Sequence, residues 1–103
     1  MTDTEILTAL TELREPAVLA TVVATRGSTP RKVGARMLVG ERGVVCGTVG
    51  GGCGEGEVVE AALELLQGGR PRTVRVDLLD EPTSWSPAVC GGTMDVFIER
   101  ANC

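Results

Sequence analysis

Three short stretches hold the residues whose types and spacing can do chemistry. Gly47-Thr48-Val49-Gly50-Gly51-Gly52-Cys53-Gly54-Glu55 sets three consecutive glycines and a cysteine just before a helix-like run, and Cys90-Gly91-Gly92 sets a second cysteine-glycine element just before a strand-like run. The third is basic. No acidic residue lies between Glu15 and Glu41, whereas Arg26, Arg31, Lys32 and Arg36 all fall inside that window. Consecutive glycines entering a helix leave backbone N–H groups pointing outward, and with the positive helix end these can hold an anion. A thiol at a helix start, as Cys53 would be, is biased toward thiolate. The basic window reads either as an anion subsite or as a solvated loop with scattered charges.

Each of these chemistries meets a constraint in the sequence itself. No Lys-Ser/Thr pair follows the glycines, and Gly50-Gly51-Gly52 is out of register with G-x-G-x-x-G, so a P-loop is excluded. Glu55 and Glu57 in the first helical turn favour the dipole themselves and oppose both a bound phosphate and a lowered thiol pKa. The chain has no histidine, so a Cys-His dyad cannot be built from it. Cys46, Cys53, Cys90 and Cys103 lack C-x-x-C spacing, which argues against a zinc site. Cys46 and Cys103 read best as packing or terminal residues, and for Cys53 packing beside a glycine-enabled turn remains an alternative to reactivity.

Composition narrows the class. The chain has 103 residues, is 43% apolar and carries a net charge of −4, which suits one packed domain over residues 1–103. One Phe, one Trp and no Tyr leave no aromatic platform for single-stranded nucleic acid, and the acidic balance is a poor match for a phosphate backbone. No nucleic acid partner is expected. The acidic start Met1-Thr2-Asp3-Thr4-Glu5 lacks the features of a signal peptide, and no apolar run approaches a membrane span. A cytoplasmic protein with reduced thiols, not associated with a membrane, is the expectation.

The elements that must position these residues follow from periodicity. Ile6, Leu7, Leu10 and Leu13 have helical spacing and precede Pro16, which gives a short amphipathic helix. The continuous β-branched run Val18 to Thr25 suits a central strand buried on both faces. Residues 26–34 read as a loop, and 35–39 and 44–49 as a hairpin across Gly40-Glu41-Arg42-Gly43. A second helix spans Glu55 to Gln67 with Glu57, Glu60 and Glu64 outside, and Gly68-Gly69 and Pro71 stop it. Two alternating strands, Thr73 to Leu78 and Met94 to Glu99, flank the two-proline segment Asp80 to Gly92, whose lone Trp85 is expected to cap a core. The order αβββαββ predicts a single α/β (α+β) domain with a five-stranded mixed sheet and the second helix over one face. Three motif-bearing segments can then converge at one edge of the sheet.

Taken together, Val18 to Val39, Gly47 to Ala62 and Val89 to Glu99 resemble the N-terminal domain of the XdhC/CoxI family, accessory proteins for maturation of xanthine dehydrogenase, CO dehydrogenase and related molybdenum hydroxylases. The family's G-S-x-P-R element falls on Gly27, Ser28, Pro30 and Arg31, its G-A-[RK]-M on Gly34 to Met37, its G-x-[IV]-x-G-G on Gly47, Val49, Gly51 and Gly52 with Cys53 following, and its C-G-G on Cys90 to Gly92. The resemblance implies binding of the molybdenum cofactor, as molybdopterin or its dinucleotide, and support of its sulfuration or insertion. On that reading Arg26, Arg31 and Arg36 meet phosphate. Gly27, Ser28, Thr48, Gly50, Gly51, Gly52, Gly91 and Gly92 complete the cradle, and Cys53, with Cys90 as second candidate, faces the metal or carries sulfur. The implied partners are a molybdenum hydroxylase, a cysteine desulfurase and a separate Rossmann-domain polypeptide, because longer members carry such a domain and this sequence does not; a homo-oligomer is a further expectation. An accessory factor is implied rather than a stand-alone enzyme. Two other readings stand beside it: a non-catalytic interaction module docking on a Rossmann-domain partner or on the hydroxylase, and a thiol-redox protein using Cys53 and Cys90.

Overall fold

The computed structural model describes residues 3–27, 29, 32–49, 54–77 and 92–101. Its elements run α1 (Asp3–Glu12), β1 (Ala17–Arg26), β2 (Arg36–Gly40), β3 (Gly43–Gly47), α2 (Glu55–Leu66), β4 (Arg72–Asp77) and β5 (Thr93–Arg100), in the expected order αβββαββ. The five strands form one sheet in the order β3-β2-β1-β5-β4. The uninterrupted β-branched run of β1 does lie at its centre. All four pairings are antiparallel, so the sheet is not mixed. The physical reason lies in α2. It is the single long crossover, and it joins β3 to β4, the two opposite edges, so the two strands it connects run the same way without ever pairing.

Helix α2 covers one face of the sheet. Val58, Ala61, Ala62 and Leu65, at i, i+3, i+4 and i+7, are its buried stripe. They pack on Val18, Ala20 and Val22 of β1, Met37 and Val39 of β2, Val76 of β4, and Met94, Val96 and Ile98 of β5. Glu57, Glu60 and Glu64 are exposed, as the helical period requires. A second, smaller cluster sits on the opposite face, where α1 brings Ile6 against Ala17 and Leu38, with Leu10, Leu13, Leu19 and Cys46 packed round it.

Burial on both faces holds only for the first half of β1. From Val23, which is 47% exposed, no described element covers the face away from α2. Helix α1 is ten residues long and lies on β2 and β3, so it cannot reach the far half of β1. Among the described residues no helix is long and apolar enough to cross a membrane.

Candidate functional site

Strand direction decides where the motif-bearing segments go. Because neighbours are antiparallel, the last residues of β1, β3 and β4 and the first residues of β2 and β5 lie at one end of the sheet. The connections 27–35, 48–54 and 78–92 all leave from that end. The turn at Glu41-Arg42 and the connection 67–71 leave from the other. All three glycine, cysteine and arginine segments are therefore attached to the same edge, and α2 starts there too. Ser28, Arg31, Gly50, Gly51, Gly52, Cys53, Cys90, Gly91 and Trp85 themselves lie outside the described residues.

Arg26 is the last residue of β1 and is exposed, opposite Thr93 of β5. Its side of the sheet is set by an irregularity that sequence periodicity does not reveal. Register shifts between Val22 and Ala24 at a bulge, so Thr25 pairs with Met94 on the α2 side and Arg26 falls on the open side. Strict alternation would have reversed that. On that face Arg26 neighbours Asp95, whose carboxyl is held below the usual carboxylate range chiefly by its hydrogen bond with Arg75; burial opposes this, and the charges of Arg75 and then Arg26 each add a smaller lowering effect. Arg75 Nε donates to Asp95 Oδ1 at 3.0 Å. This ion pair ties β4 to β5.

Arg36 opens β2 and is also exposed, opposite Thr21. Thr21 and Arg26 are five positions apart, on the order of 15 Å along a strand. Arg26 and Arg36 share a face and an end, and they address different parts of it. Gly27 follows β1 at φ 74°, a left-handed turn, and Gly92 is buried just ahead of β5.

The start of the glycine segment is tightly held. Gly47 has φ 81°, and a Cβ there would collide with the backbone carbonyl oxygen of Arg36. The Thr48 N–H donates to that same oxygen at 3.2 Å, and Val49 is fully buried in the core under α2. At the other end Gly54 caps α2 with φ 74° and has no side chain to satisfy the first amides. The Thr48 hydroxyl, expected in the ligand cradle, donates to the Glu55 carboxylate. Glu55 was legible as an acidic residue in the first turn, but its partner seven positions back was not.

Cys46 is the only cysteine among the described residues, and it is a free thiol. It is half-buried against the Ile6, Ala17 and Leu38 cluster, as expected for a packing residue. Burial first, and Glu5 second, push its thiol above the ordinary range, which disfavours the thiolate. No group of three or more His, Cys, Asp or Glu among the described residues is arranged to hold a metal ion.

Comparison with known proteins agrees with the geometry. The model of the XdhC and CoxI family matches residues 10–77. The molybdenum cofactor insertion chaperone PaoD of Escherichia coli is 40% identical over 86 residues, covering 82% of this chain and 26% of that protein. A protein of Bacillus subtilis named as a probable xanthine dehydrogenase subunit is 38% identical over 97 residues, covering 92% of this chain and 29% of that protein. The crystal structure of a xanthine dehydrogenase from Bacillus halodurans superposes with a TM-score of 0.85 at 38% identity, over 99% of this chain and 31% of that one. The chain thus spans under a third of the length of the relatives it matches. With the family model covering most of its sheet and α2, and the same fold present at 38% identity, the chain belongs to the XdhC and CoxI family.

Proposed function

We propose that the chain acts as an accessory protein in maturation of a molybdenum hydroxylase of the xanthine or CO dehydrogenase type, holding the molybdenum cofactor as cargo at the loop end of its sheet. The observation that carries this reading is the attachment of all three motif-bearing connections to one edge, with Arg26 and Arg36 exposed there on a common face. It is supported by the likeness to a protein named as a molybdenum cofactor insertion chaperone.

In this reading Arg26, Arg31 and Arg36 give charge-assisted hydrogen bonds to phosphate, and the separation of Arg26 from Arg36 suits an elongated, nucleotide-bearing cargo. Gly27, Ser28 and the N–H groups of Gly50, Gly51, Gly52, Gly91 and Gly92 complete the cradle. Cys53, with Cys90 second, faces the metal or carries sulfur supplied by a cysteine desulfurase. Thr48 serves from behind, through Glu55.

The test is activation of a cofactor-free hydroxylase supplied with molybdenum cofactor and the purified chain. Wild type is expected to raise the active fraction, and Arg31→Ala and Cys53→Ser to lose most of that gain. Equal activation with and without the chain would end the proposal. A second reading, an interaction module that docks on a Rossmann-domain partner, draws on the short span of the chain relative to its relatives and on the open sheet face. Full activation by Cys53→Ser and Arg31→Ala, together with a stoichiometric complex, would favour it.

A further inference from the structure

We propose that Arg75 is a positioning residue for anion binding by Arg26: by holding Asp95, it keeps that carboxylate from capturing the Arg26 guanidinium. The inference rests on the phosphate-binding role proposed for Arg26.

Strand register sets up the competition. Asp95 on β5 stands directly opposite Arg75 of β4, whereas Arg26 stands opposite Thr93, two residues along β5. The bulge in β1 puts all three side chains on the face away from α2. Directly opposed side chains on neighbouring strands are nearer than diagonal ones, although a diagonal neighbour stays within reach of a long side chain. Arg75 therefore has the advantage, and it addresses both carboxylate oxygens, with Nε 3.0 Å from Oδ1 and Nη2 3.5 Å from Oδ2. The charge of Arg26 already acts on Asp95, as the smallest of the influences that hold its carboxyl down.

Burial makes the competition consequential. The Asp95 side chain is only 15% exposed against 61% for Arg75, so an ionised Asp95 deprived of Arg75 has little water to replace it. Among the described arginines of β4 and β5, Arg72 is paired with Glu64 and Arg100 donates to the last carbonyls of α2, which leaves Arg26 of β1 as the substitute. A guanidinium drawn onto a carboxylate gives up donors that phosphate would use. From its diagonal position Arg26 replaces Arg75 only in part, so the loss of anion binding is partial.

Equilibrium titration with molybdenum cofactor, followed by pterin fluorescence, should show Arg75→Ala binding about fivefold more weakly than wild type and Arg75→Ala/Asp95→Asn binding as wild type does. In an Arg26→Ala background Arg75→Ala should change nothing, whereas a general loss of positive charge would weaken binding in both backgrounds and overturn the proposal. In the cofactor-free chain, the Arg26 Nε–H signal in NMR, identified by its loss in Arg26→Ala, should exchange with water about fivefold more slowly in Arg75→Ala and at the wild-type rate in the double variant. A cross-strand pair with an exposed arginine contributes little to stability, so these variants are expected to fold. Unchanged Arg26 exchange in Arg75→Ala, unchanged cofactor binding by that variant, or failure of Asp95→Asn to restore either would overturn the proposal. If wild type holds no cofactor, the proposed function falls, and the Arg26 exchange still decides whether Arg75 keeps Asp95 off Arg26.

Discussion

Gly47 carries a backbone requirement that no other residue type meets, since its φ is 81° and the Arg36 carbonyl occupies the space of a Cβ. Gly47→Ala is therefore expected to cost about 2–4 kcal/mol, read as a lowered urea midpoint with an unchanged slope. A loss under about 0.5 kcal/mol would show that the close approach is not required. Asp95 offers a second residue-scale check. Arg75→Ala should raise its carboxyl pKa more than Arg26→Ala does, since the Arg75 hydrogen bond is the larger cause. A carboxyl depressed in the folded state stabilises it above the ordinary carboxylate range and loses that contribution as pH falls through the depressed value. Carboxyl titration followed by NMR reads both shifts, and equal shifts would contradict the assignment. Cys46 should alkylate more slowly in the folded protein than in the unfolded chain at the same pH, because partial burial limits access and disfavours its thiolate. The residue types at all these positions were legible in the sequence. The pairings of Thr48 with Glu55 and of Arg75 with Asp95 were not, because they join residues 7 and 20 positions apart that only the folded chain brings together.

Among the elements, α2 does most to hold the sheet, because it contacts all five strands from one side. Leu65→Ala, at a fully buried position of its stripe, should destabilise by about 2–5 kcal/mol in urea denaturation. A cost below about 1 kcal/mol would mean that the core closes round the cavity, or that α2 is not seated as described. Its extent, its glycine stop and its apolar stripe were all legible, since helical periodicity and breakers are local signals. Strand positions were legible for the same reason, and so was the central place of β1. The antiparallel pairing throughout was not, because a helix between two strands suggests a parallel neighbour and says nothing about three other strands lying between them. Nor was the bulge at Val23, a one-residue irregularity inside an evenly apolar run, although it decides which face Arg26 serves.

Across the whole molecule, the sheet separates two ends. One carries the three motif-bearing connections, with Arg26 and Arg36 exposed beside them. The other carries Arg42, exposed on the short turn between β2 and β3. Family membership and fold were legible in the ordered motifs, because spacing across nearly the whole chain is more specific than any single glycine run. The site was legible as three separate segments, and their common edge follows only from strand direction. The central claim is that cargo is held at that edge. Gel filtration of the purified chain with molybdenum cofactor, followed by pterin fluorescence, tests it most directly. Wild type is predicted to carry pterin, Arg26→Ala to bind at least about tenfold more weakly through loss of a charged hydrogen bond, and Arg42→Ala to bind as wild type does. Absence of pterin from the wild-type peak, or equal losses in Arg26→Ala and Arg42→Ala, would contradict it.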